Sequence, residues 1–444
     1  MAKVVSSNRI LQKLLFLQLI LIFFHIGIRY FIDNTLVRDV ALLLSIIVFV
    51  LTSRRQVAQD RVSGISLWML GYGVVVMIVH SFTGASVINA VTQFRDFFLP
   101  LAIVPIYRHI FLDQQFRLKI VSLLFILFSI LLLDVYIEFF MRLAGMSRDI
   151  LPWYPYQYTH LYRFSTSPDA MPNAISPDQA PILGLIGWPL NTSAVLMGLF
   201  AFLLPWIMAD RQGLKLLKFQ QRLSRIKIIY IILTAGAFLI LEVKTSILAF
   251  VVILFIYFFS NKGKIIKNLL VIVSLFAIVA ILTKDFWFGL FETFAEEFAD
   301  GELEYILSSQ TMSSLLGAFL TGSPLGFLFG ADYSHLPYFE NLEIRLLVFT
   351  LELGIIWLIL YCIMMGRVLI TNRKFLRSRK LGPADSLLAK GVQLSLIAYL
   401  IDMLHYANQM YLFNIYFFGV MLALISSLII QQRNAKSISN NPCI

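Results

Sequence analysis

The chain has 444 residues, of which 59% are hydrophobic and only 14% charged. A water-soluble fold of that size could not hide so much apolar surface, so the soluble globular classes are excluded. A net charge of +11 would suit a nucleic-acid surface, but the basic residues lie between apolar runs, in alternate connections, which argues against one.

A helix crossing the ~30 Å hydrocarbon layer needs roughly 20 apolar residues. The sequence supplies about twelve such runs, near 12–32, 36–52, 62–82, 92–112, 118–141, 182–208, 227–242, 246–260, 265–283, 343–366, 390–407 and 410–430. They predict an all-α polytopic integral membrane protein, one membrane domain over 1–444 with about twelve transmembrane helices. The first run follows Lys3, Arg9 and Lys13 as a signal peptide would, but no small-residue cleavage site follows, so a retained span is expected.

Basic residues recur in alternate connections: Arg54, Arg55 and Arg61; Arg108, Arg117 and Lys119; Arg211, Lys215, Lys218, Arg222, Arg225 and Lys227. Lys262, Lys264 and Lys267 continue the series, and Arg367, Arg373, Lys374, Arg377, Arg379 and Lys380 close it. This asymmetry predicts both termini in the cytoplasm. Cys362 within a run and Cys443 near the tail make no disulfide framework.

Taken in chain order, the first charged group at a predicted membrane boundary is Arg95–Asp96, in NAVTQFRDFFLPLAIVPIY. Arg95 there can meet an anionic ligand, pair with Asp96, or snorkel to lipid phosphate. A long extracytoplasmic loop is expected over 142–181, where Pro152, Pro155, Pro168, Pro172, Pro177 and Pro181 forbid a continuous helix. It carries WYPYQYTHLYRF, in which Tyr158 and Tyr162 offer faces for sugar rings and His160 adds a donor. Arg163 offers a fork for phosphate oxygens. An interfacial aromatic belt accounts for the tyrosines equally simply.

The next group, Glu242, Lys244, Thr245 and Ser246, falls at an outward turn between two runs. It is either a neutralised pair fixing the turn or a cation site built on Lys244. A second long extracytoplasmic loop is expected over 284–342, with short amphipathic helices around TFAEEFADGELEYILSS. It ends in DYSHLPYFENLEIRLLVFTLELGIIWLILY, residues 332–361, where a polar stretch turns directly into a span. Ionisable groups at such an entry cost free energy unless paired or solvated. Glu343 or His335 could take a proton from a substrate hydroxyl, and Arg345 could stabilise charge on a departing phosphate. Glu352, deeper in that helix, reads as a buried hydrogen-bonding residue. Asp402, His405, Tyr406 and Asn408 mark the last outward turn more weakly. No metal, nucleotide or redox motif is present in the sequence.

The entry at 343–361, with the Glu352-x-Gly354 step inside IRLLVFTLELGIIWLILY, and the turn at 242–249 resemble the O-antigen polymerase and ligase superfamily, membrane glycosyltransferases of C-type fold. The resemblance covers the predicted topology and two loose motifs. Where ligases of that superfamily carry His, this chain has Glu343, which leans the resemblance toward the polymerases. It implies a polysaccharide polymerase in the bacterial inner membrane, working on its periplasmic face without metal or cofactor. Undecaprenyl-diphosphate-linked oligosaccharide would be its substrate, gripped by Arg95, Arg163, Lys244 and Arg345. Membrane lipid and a chain-length regulator would be its partners, and nucleic acid would not. A ligase role and a transporter or lipid-linked oligosaccharide flippase are the rival expectations.

Overall fold

The computed structural model describes residues 2–32, 35–52, 60–82, 86–144, 185–186, 189–209, 218–241, 243–259, 324–331, 345–377, 381–403 and 412–440. These residues form helices and no strands: α1 (Ala2–Phe23), α2 (His25–Phe31), α3 (Val40–Thr52), α4 (Arg61–Phe82), α5 (Val87–Phe97), α6 (Ile103–Tyr107) and α7 (Gln114–Leu143). They continue as α8 (Pro189–Met208), α9 (Lys218–Leu241), α10 (Lys244–Phe259), α11 (Pro324–Phe329), α12 (Arg345–Arg377), α13 (Pro383–Met403) and α14 (Leu412–Asn440). Tight helical turns at Thr35–Arg38, Leu99–Ala102 and Ile110–Leu112 join some of them.

Six described helices are long and apolar enough to cross a membrane, and α5 with the Leu99–Tyr107 segment makes a seventh if that pair, bent by 42°, is one span. This fits an all-α membrane protein but not a count of twelve. The apolar helices Val40–Thr52, Lys227–Leu241 and Thr245–Phe259 are shorter than a full span. The run at 12–32 divides at Phe24 into α1 and α2, and the run at 265–283 lies outside the described residues.

Polar caps fix where several helices begin. Asp60 Oδ1 accepts from the Val62 and Ser63 amides at the start of α4, and Ser86 Oγ accepts from the Asn89 amide at the start of α5. Each satisfies backbone donors that have no partner within the first helical turn. Pro383 and Pro324 open α13 and α11, where a missing N–H costs nothing.

Two helices fill the centre. In α14, 17 of the 18 residues from Phe413 to Ile430 are buried, and in α8, 16 of the 18 from Asn191 to Met208. Lipid is as apolar as a leucine side chain, so close packing and hydrogen bonds rather than the hydrophobic effect must hold such helices together. The α8–α13 pair follows that rule. Gly391 lets the α13 backbone lie against the Phe202 carbonyl, and Ser395 donates to the Gly198 carbonyl at 3.0 Å. Tyr399, packed over Gly198, donates to Asn414 of α14 at 3.1 Å.

Two ion-pair networks bond to α14 ten residues apart, through Ser426 and Tyr416, and the first lies where α4 begins. At its start, fully buried Arg108 pairs with Asp60 at 3.1 Å, Ser426 donates to the same carboxylate at 2.6 Å, and Arg117 pairs with Asp385 at 2.8 Å. The other network contains Arg95.

Candidate functional site

Arg95 lies near the end of α5, two residues before the bend. Its Nε reaches Asp96 Oδ1 at 3.0 Å and Asp39 Oδ2 at 3.7 Å. Arg38 joins the same two carboxylates: its Nη2 contacts Asp96 Oδ1, and its Nε lies 3.5 Å from Asp39 Oδ2. Tyr416 of α14 donates to Asp39 Oδ1 at 2.7 Å. The cluster thus gathers the turn before α3, the end of α5 and the start of α14. Two arginines face two aspartates, so these four groups balance to zero charge. Asp39 is 2% exposed, whereas Asp96 is 31% exposed and the arginines 16% and 17%. Asp96 is therefore the most exposed member of the cluster.

From this cluster an aromatic row runs into α12. Phe97 meets Phe349 with ring centroids 5.3 Å apart, Phe349 meets Trp357 at 5.5 Å, and Trp357 stacks on Tyr361 at 5.2 Å. Since α12 begins at Arg345, one helical turn separates its first residue from the ring that touches α5.

The helix α12 is broken within this row. Gly354 has φ 83° and ψ 164°, a conformation that L side chains rarely adopt. The short helix α11 packs at the break, and Gly330, with φ 81°, ends it. The two glycines face each other's strand of backbone. A Cβ on Gly330 would overlap the Glu352 carbonyl, and a Cβ on Gly354 would overlap the Leu328 carbonyl. Ala331 donates its amide to the Leu351 carbonyl at 3.1 Å. From α4, the Tyr72 hydroxyl contacts the carbonyls of Leu353 and, at 2.9 Å, Leu328. His80 Nε2 donates to the Phe329 carbonyl at 3.2 Å, and the Tyr72 ring stacks on Phe329 at 5.9 Å.

Of the residues expected to bind or act on substrate, Arg95 alone has a described side chain. Lys244 and Arg345 begin α10 and α12, with their side chains outside the description. Both helices pack on α13, and Ser246, two residues past Lys244, donates to Ser193 of α8 at 3.0 Å. His335, Glu343, Tyr158, His160, Tyr162 and Arg163 lie outside the described residues, as do His405, Tyr406 and Asn408. Glu352 is half-buried just before the break.

Sequence reasoning did not single out Arg38, Asp39, Tyr416, Tyr72 or His80 for this region. Arg38–Asp39 flanks an apolar run and was detectable as a charged pair at a boundary. Tyr72 and His80 stand alone in an apolar helix and carry no local pattern. Among the described residues no group of His, Cys, Asp and Glu has the arrangement of a metal site. No family model, curated protein or solved structure matches the chain.

Proposed function

We propose that the chain is a membrane polysaccharide polymerase, as its likeness to the O-antigen polymerase and ligase superfamily suggests. It joins undecaprenyl-diphosphate-linked repeats beside Arg95, on the face of the bundle toward the periplasm of a bacterial inner membrane. The observation that carries this reading is the Phe97–Phe349 contact, which ties the helix of Arg95 to the first turns of the helix that begins at Arg345. Two cations expected from sequence to meet a diphosphate thus belong to elements that touch each other.

In the proposed reaction, Glu343 or His335 accepts the proton of an incoming sugar hydroxyl. The hydroxyl oxygen attacks the anomeric carbon of the donor glycan and forms the new glycosidic bond. The bond from that carbon to the diphosphate breaks, and undecaprenyl diphosphate leaves with the electron pair. Arg345, Arg163, Lys244 and Arg95 meet the charge on the departing oxygens. His160, Tyr158 and Tyr162 contact the glycan. The phosphoanhydride-linked donor supplies the driving force, so neither a nucleotide nor a metal ion takes part.

Purified protein supplied with a lipid-linked repeat should give a ladder of longer products. Glu343→Gln and Arg345→Ala should lower the rate at least about 100-fold while the protein still melts cooperatively. Ladders of near-normal intensity from both variants would remove these assignments. Addition of a single glycan to a different acceptor, without a ladder, would indicate the ligase reaction instead.

The break in α12 favours a second reading. Transporters build substrate sites on interrupted helices within the membrane, and Gly354 with α11 is such an interruption. Proteoliposomes distinguish the two: a flippase would move lipid-linked repeats between leaflets without lengthening them.

A further inference from the structure

We propose that Tyr72 is a positioning residue, which latches α11 to the first nine residues of α12, 345–353, and holds both at the break. The inference rests on the polymerase reading only for its activity readout, because the latch itself is a matter of geometry.

The first observation is reciprocal contact. Gly330 and Gly354 each press backbone against the other's segment, and the Ala331 amide donates to the Leu351 carbonyl. This joins α11 to α12 on the Arg345 side of the break. The second is the place of the Tyr72 hydroxyl. A break within a helix strips carbonyls of their amide partners, and inside a lipid-facing bundle each must find another donor. Tyr72 reaches one carbonyl on each element, Leu353 of α12 and Leu328 of α11, and its hydroxyl oxygen accepts from the Trp357 amide just past the break. His80 reaches α11 alone, through Phe329. The third is leverage. Residues 355–377 continue as a helix beyond the break, so an angle change at Gly354 displaces the Arg345 end while the rest stays packed on α13.

These contacts predict a pattern that general loosening would not produce. Hydrogen–deuterium exchange on the full chain in lipid nanodiscs provides the test. Tyr72→Phe keeps the ring on Phe329 and removes only the hydroxyl. It should speed exchange about three- to tenfold in 324–331, in 345–353 and at the Trp357 amide, and leave 361–377 unchanged. His80→Phe should speed exchange in 324–331 alone. In the polymerase assay, Tyr72→Phe should lower kcat about tenfold with KM within about twofold, because the substrate is held but misaligned. Unchanged exchange at 345–353 in Tyr72→Phe overturns the latch, as does equal acceleration of 361–377. If wild-type protein makes no ladder, the polymerase reading fails and the exchange pattern alone decides for or against the latch.

Discussion

At the scale of single residues, the two ion-pair networks differ in what they can exchange. Asp60 performs three tasks at once: it caps α4, pairs with Arg108 and accepts from Ser426. Both partners of that pair are fully buried, so removing one strands a charge. Arg108→Met should destabilise the protein by about 3–5 kcal/mol, and Arg108→Met with Asp60→Asn by clearly less. Thermal melts of the single and double variants in one detergent check this. The Arg95 network is partly open, and Asp96 is its most exposed member. If Arg95 serves the donor diphosphate, Asp96→Asn lowers KM for the lipid-linked donor. A lower melting temperature with unchanged KM would assign Arg95 to architecture alone. The sequence made Arg95–Asp96 visible as a charged pair at a boundary. It could not reveal Asp39 and Tyr416 as partners, because Asp39 lies 56 residues before Arg95 and Tyr416 lies 377 residues after Asp39.

At the scale of elements, apolar content and backbone path separate. Counting apolar runs identified where most described helices lie, because a 20-residue greasy segment has few alternatives in lipid. It did not reveal the division at Phe24, the bend after Phe97 or the break at Gly354, since none of these changes hydropathy. The bend had a local sign in Pro100 and the break in the glycine of the Glu352-x-Gly354 step. The segment expected as an external loop over 284–342 contains α11, whose residues pack on α12 and α4. Gly354→Ala and Gly330→Ala should each cost more than about 3 kcal/mol, since a positive φ and a backbone overlap act together. Gly71→Ala and Gly366→Ala meet open space and should stabilise by about 0.5–1 kcal/mol. Equal melting temperatures for the four variants would contradict the break.

At the scale of the whole molecule, orientation is the quantity that joins fold to proposed function. If the charge asymmetry sets it, Ile88 near the Arg95 network faces outward and Gly382 faces the cytoplasm. In a background lacking Cys362 and Cys443, Ile88→Cys should react with a membrane-impermeant maleimide in intact cells. Gly382→Cys should react only after permeabilisation, and the reverse result would move the proposed site to the wrong side. The placement of α14 has a different consequence. It touches α1, α4, α5, α6, α8, α12 and α13, yet a ribosome makes it after every other described helix. The earlier spans therefore enter the bilayer around a gap and wait there, loosely associated, until their axle arrives. Maturation should accordingly be slow to begin and abrupt to finish, and quality-control proteases have their widest opportunity in that interval.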